Sequence, residues 1–166
     1  MRTLAILRHA KSAYPPGVAD ADRPLGSRGE RDAPEAGRWL REHCACFDAV
    51  VVSPATRTRA TWELVRAELE GPPRAVFDAR VYAAGVPELL AALRDVPAQA
   101  EHVLLIGHNP GLEDLAEELG GSDFTAAWVS LGSKFPTSAV AVFAIEGPWA
   151  DLPSGARLRE VAVPRG

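Results

Sequence analysis

The chain has 166 residues, 47% of them hydrophobic and 24% charged, with a mean hydropathy of −0.04. Those values suit one compact domain with a buried core and exclude a disordered chain, a collagen-like repeat and a disulfide scaffold. With 18 Lys and Arg against 22 Asp and Glu, the net charge is −4 and the pI about 5.6, which argues against a broad nucleic-acid-binding surface.

Arg2 to Leu7 reads as a strand whose continuous apolar character suits burial on both faces of a parallel sheet. A loop rich in Pro, Gly and Asp spans Tyr14 to Gly26. Ser27 with Glu30 forms a capping-box pattern that opens a helix to about His43, with Ala33, Ala36, Gly37 and Leu40 on its apolar side. Pro34 either kinks that helix or marks its first turn. Asp48 to Val52 is a second, β-branched strand. Ser53-Pro54 then reads as a cap and first helical residue, with the helix running to about Glu70 and stopping at Gly71-Pro72-Pro73. A short strand at Ala75 to Phe77 precedes a helix from Pro87 to about Arg94. Val103 to Ile106 is a third buried strand, and Asn109-Pro110 begins a helix that ends at Gly120-Gly121. A loop holding Trp128 and Lys134 leads to strands at Ser138 to Ile145 and Leu158 to Val163. Alternating strands and helices predict a three-layer α/β/α sandwich with a mainly parallel sheet, formed as a single domain over residues 1–166.

No apolar run reaches the roughly 20 residues of a membrane span. The N-terminal apolar stretch is broken at once by Arg8-His9, unlike a secretion signal, so a cytoplasmic location without a membrane partner is expected. Cys44 and Cys46 have no second pair at zinc-site spacing and read as two semi-buried thiols at a helix end. No metal or other cofactor is implied.

Ligands of open α/β sheets bind beyond the carboxyl ends of the strands. The first strand ends in Arg8-His9, the second in Ser53-Pro54-Ala55-Thr56-Arg57, and the third in Gly107-His108-Asn109-Pro110. Two arginines and two histidines are thereby directed at one crevice. Arginine's planar fork matches the oxygens of a phosphoryl group, and helix N-termini add backbone N–H donors. One histidine can attack phosphorus through an imidazole nitrogen while the other donates to a non-bridging oxygen. Taken singly, each residue has an ordinary explanation: a packed histidine, or a solvated helix arginine. Their joint placement at three strand ends makes the argument.

These residues carry a resemblance. Leu7-Arg8-His9-Ala10-Lys11-Ser12 is similar to the Arg-His signature of the histidine phosphatase superfamily, and Ser53-Pro54-Ala55-Thr56-Arg57 with Thr61-Trp62-Glu63 to its second-arginine motif. Ile106-Gly107-His108-Asn109-Pro110-Gly111 resembles the second-histidine motif of the SixA-type phosphohistidine phosphatases. Asp22-Arg23-Pro24-Leu25 with Gly29, and Phe135-Pro136-Thr137-Ser138-Ala139, extend the match over essentially the whole chain.

The resemblance implies a phosphoglycerate mutase-like fold without a large cap insertion. It makes His9 the nucleophile and Arg8, Arg57 and His108 the rest of the phosphate pocket, with Arg23 a weaker candidate lining it. Where mutase-like members carry a glutamate as general acid, this chain has Ala83 in Asp78-Ala79-Arg80-Val81-Tyr82-Ala83. An imidazole leaving group needs such an acid less than an alkoxide does, so the implied substrate is a phosphohistidine-bearing protein. Asp20, Asp22 and Glu88 are the nearest substitutes for the acid by motif, each also explained as a turn or cap residue. Glu113 and Asp114 favour a helix dipole. A phosphomonoesterase acting on a small metabolite or nucleotide, and a phosphate-binding module without turnover, stand as alternatives. The Tyr14 to Gly26 loop and the Phe124 to Phe135 segment, with Trp128 and Lys134, are expected at the rim.

Overall fold

The computed structural model describes residues 1–132 and 135–166, so Lys134 lies outside the described residues. Its strands are β1 (Arg2–Arg8), β2 (Ala49–Val52), β3 (Val76–Phe77), β4 (His102–Gly107), β5 (Val140–Ile145) and β6 (Ala156–Ala162). Its α-helices are α1 (Ser27–His43), α2 (Thr56–Arg66), α3 (Val86–Arg94) and α4 (Gly111–Leu131). The strands form one sheet in the order β3-β2-β4-β1-β5-β6. The β3, β2, β4 and β1 strands run parallel, whereas β5 is antiparallel to β1 and β6 antiparallel to β5. The sheet is therefore mixed, with its parallel half holding the three strand ends singled out above.

Alternation along the pleat divides the core between two faces. Leu4 and Ile6 of β1 join Leu105 and Phe143 in a cluster with Leu89 and Leu93 of α3 and Leu112 and Leu115 of α4. Ala5 and Leu7 join Leu104, Ile106 and Val142 in a second cluster with Ala36 and Leu40 of α1 and Trp62 and Val65 of α2. Each central strand is thus apolar on both sides, as continuous hydrophobic runs require, and the three layers follow.

Several local expectations change. Gly26, in an extended conformation, caps α1 and donates its N–H to the Lys11 carbonyl, so Ser27 lies within the helix and its hydroxyl caps nothing. Pro34 sits inside α1, beyond its first turn. Ser53 is not the cap of α2 either: Ala55 takes that position, and the helix ends at Arg66 rather than Glu70. Gly29 is held against the loop after β1, where a Cβ would stand 2.1 Å from the Lys11 carbonyl oxygen.

The largest correction concerns α4, which does not stop at Gly120-Gly121. Gly121 takes φ 53° and ψ −137°, a backbone that glycine adopts freely, and the chain resumes its helix to Leu131. Burial drives the continuation. Trp128 packs with its ring centroid 5.5 Å from Phe124 and 5.2 Å from Phe135, and all three are buried. The Phe124 to Phe135 segment therefore supplies core aromatics where a rim was expected. The cysteines are free, Cys44 half-buried with its thiol pushed up to about 11 by burial, and Cys46 exposed.

Candidate active site

Because β2, β4 and β1 are adjacent and parallel, their carboxyl ends open side by side. The pairing continues one residue further: His9 N–H donates to the Gly107 carbonyl at 3.1 Å, and Ser53 N–H to the Ile106 carbonyl at 3.1 Å. Thr61 of α2 fixes the loop after β1, its Oγ1 accepting from Ala10 N–H at 3.0 Å and donating to the Arg57 carbonyl at 2.7 Å. The result is a cleft of about 450 Å³. Arg8, His9, Arg23, Arg57 and His108 all line it, so the five expected residues converge.

The two imidazole rings lie with centroids 5.2 Å apart at 55°. His9 is buried, and its Nδ1 is 2.8 Å from the Ala10 carbonyl. A carbonyl only accepts, so Nδ1 carries the proton and Nε2 the lone pair. Burial first, then the neighbouring His108, Arg8 and Arg57, holds the His9 imidazole far below its ordinary range, at about 3. The arginines thus contribute, but the loss of water matters more. His108 is depressed to about 4, again by burial and then by Arg57. Its Nε2 lies 2.7 Å from Ser53 Oγ, which gives that hydroxyl a partner other than a helix end. Tyr82 meets the His108 ring edge-on at 5.6 Å and 86°.

Arg8 spends one terminal nitrogen on the Phe135 carbonyl at 3.1 Å. Arg57, nearly buried at the start of α2, donates to the Asp20 carbonyl at 2.7 Å and to Asp20 Oδ2 at 3.2 Å. Arg23 donates to Asp20 Oδ1 at 3.1 Å and to Ser12 Oγ at 2.6 Å, and its guanidinium lies 4.1 Å from the Tyr14 ring centroid. Three nitrogens of the expected set have no partner among the described residues: Arg8 Nε, Arg57 Nε and His108 Nδ1. Buried donors without acceptors are costly, and an anion in the cleft is a chemically suitable acceptor.

Among the acids considered as substitutes, Asp20 alone borders the cleft. The Tyr82 hydroxyl, 2.6 Å from Asp20 Oδ2, and then Arg57 and Arg23 hold its carboxyl at about 2. Such a carboxylate is ionised and has no proton to give. Asp22 and Glu88 do not line the cleft; the Glu88 carboxylate accepts from Gly85 N–H at 3.0 Å and caps α3. Glu113 accepts from Asn109 Nδ2 at 3.3 Å, and neither it nor Asp114 lines the cleft. Ala83 does line it, with φ 51°, and brings no proton donor. Reasoning from motifs missed Ser53 as the partner of His108, and Tyr82 as the partner of Asp20. The position of Tyr82, next to the expected acid site, was the available signal.

Among the described residues, no three His, Cys, Asp or Glu side chains stand close enough to hold a metal ion. No helix among them is long and apolar enough to cross a membrane.

A sequence model of the histidine phosphatase superfamily (branch 1) matches residues 4–82. An uncharacterized protein of Mycobacterium tuberculosis is 41% identical over 162 residues, covering 96% of this chain and 100% of the relative. The solved SixA structure from Nakamurella multipartitia superposes with a TM-score of 0.83 at 34% identity, covering 98% of this chain and 96% of that one. A protein histidine phosphatase SixA complexed with tungstate gives 0.78 at 25% identity, over 98% of this chain and 97% of that one. With its strand-end arginines and histidines gathered in one cleft, the chain belongs to the histidine phosphatase superfamily and is of the SixA type.

Proposed function

We propose that this protein is a metal-independent phosphatase that removes the phosphoryl group from phosphohistidine on a signalling protein, through a covalent intermediate on His9. The observation that carries the reading is the set of donors without partners among the described residues, Arg8 Nε, Arg57 Nε and His108 Nδ1, in the residues that flank a neutral His9. These donors suit the non-bridging oxygens of a phosphoryl group and its in-line transition state.

In the first step the His9 Nε2 lone pair attacks phosphorus. A P–N bond forms to His9 as the P–N bond to the substrate imidazole breaks, and the bonding pair returns to that ring. Bond type is conserved, so little driving force is lost. Water then attacks the phosphoryl group, the His9 P–N pair returns to Nε2, and the water's proton leaves to phosphate or solvent. Arg23 lines the same pocket from the loop side. The absence of an acid at Ala83 fits an imidazole leaving group better than an alkoxide. A cytoplasmic location and a single catalytic domain over residues 1–166 complete the proposal.

Turnover of a phosphohistidine peptide, beside a small phosphoester and in the presence of a chelator, is the test. Chelator-insensitive hydrolysis of the peptide, lost in His9→Ala, is expected. Hydrolysis of the phosphoester alone favours a metabolite phosphatase, and binding without turnover favours a recognition module.

A further inference from the structure

The cleft that suits an anion also contains one. Asp20 is held by donors from three parts of the chain: Tyr82 Oη at 2.6 Å, Arg57 at 3.2 Å and Arg23 Nε at 3.1 Å. A carboxylate among phosphate ligands weakens phosphate binding by like-charge repulsion, so its placement calls for a compensating use. Holding Arg57 is not that use, because the Asp20 backbone carbonyl already accepts from Arg57 at 2.7 Å. Nor can an ionised group protonate a leaving group. Its side chain is 56% exposed, on a loop that borders the cleft, and is open to a donor from the substrate.

Phosphohistidine can supply that donor. Its imidazole, phosphorylated on one nitrogen, takes a proton on the other and becomes a cation bearing an N–H. We propose that Asp20 accepts this N–H and stabilises the imidazolium form, so that the ring departs as neutral imidazole with no proton donor at Ala83. The inference rests on the phosphohistidine reading given above. The His9 lone pair forms the new P–N bond, the old P–N pair neutralises the departing ring, and the distal N–H proton stays where it was. A phosphoester leaves as an anion, which the same carboxylate disfavours. Asp20 thereby selects N-phosphoryl over O-phosphoryl substrates.

The experiment compares wild type with Asp20→Asn, an isosteric change that keeps the backbone contact to Arg57. The substrates are a phosphohistidine peptide and p-nitrophenyl phosphate. Loss of a charge-assisted hydrogen bond is expected to lower kcat/KM on the peptide about tenfold or more. Activity on p-nitrophenyl phosphate should rise. Parallel losses on both substrates, or an unchanged ratio, overturn the inference and leave the phosphohistidine reading standing. A wild-type protein inert toward the peptide overturns both. Should circular dichroism show D20N unfolded, wild-type turnover of N-phosphoimidazole and p-nitrophenyl phosphate decides, each taken relative to its rate in water. Preference for the former by about tenfold or more is expected, and equal acceleration contradicts the proposal.

Discussion

His9 and His108 stand ring to ring in the strand-end cleft, centroids 5.2 Å apart, and both are held neutral by burial. The pair divides its labour through its partners. The Ala10 carbonyl accepts the hydrogen bond from His9 Nδ1–H, leaving the lone pair on Nε2, while Ser53 engages His108 Nε2. A Ser53 hydroxyl that donates to Nε2 places the His108 proton on Nδ1, the nitrogen without a partner among the described residues. Replacing His108 with Ala is expected to lower kcat by about 10²–10³-fold, the scale of losing one oxyanion donor. Single-turnover kinetics on the phosphohistidine peptide measure it; an unchanged rate removes His108 from the chemistry.

Arg57→Ala and Arg8→Ala should each weaken binding of inorganic phosphate or tungstate and lower kcat/KM by about 10²-fold or more. Arg57→Lys should recover little of the loss, because an ammonium cannot reproduce a planar fork that holds Asp20 through both terminal nitrogens while its Nε has no partner among the described residues. Isothermal titration with each anion reads the affinity. Equal affinities in R57K and wild type would contradict the role of the fork.

The strand-end histidines and arginines were legible in sequence because each stands at or just beyond the end of a short apolar strand in the parallel half of the sheet. Much else was not. Gly120-Gly121 reads locally as a helix stop, yet α4 continues because Phe124 and Trp128 gain burial beside Phe135. Tertiary packing overrode the local signal. Asp20 and Tyr82 lie 62 residues apart and meet only when the loop before α1 folds over the turn before α3. No spacing rule encodes such a pair. Ser53 reads as a helix cap until β4 brings His108 to its hydroxyl.

Stability should fall with acid in a defined window. His9 and His108 take up protons near 6.5 when unfolded but only at about 3 and 4 when folded. Below pH 6.5 the unfolded chain therefore binds more protons than the native one, and stability declines as pH drops toward those lower values. Asp20 adds a further loss as pH falls from its ordinary 3.8 toward about 2. Thermal melts from neutral pH down to about 4 should show Tm falling, with a shallower slope in His108→Gln. Parallel slopes in the two proteins would show that His108 does not contribute.

Ala83 offers a gain-of-function test. It lines the cleft, and the resemblance to mutase-like members implies that this is the position of their general-acid glutamate. Ala83→Glu is expected to raise hydrolysis of alkyl phosphates by about tenfold or more, by supplying the missing proton donor. Turnover of phosphohistidine, which does not rely on that donor, should change far less. An equal gain on both substrates would contradict the reading of the leaving group.

The covalent intermediate is open to direct capture. Rapid quenching of the protein with a radiolabelled phosphohistidine peptide should trap an acid-labile, base-stable phosphoryl group on His9 that forms and decays within one turnover. No label should appear in His9→Ala. Turnover with no trapped label at any quench time, or label and activity that persist in His9→Ala, would contradict the nucleophilic role of His9.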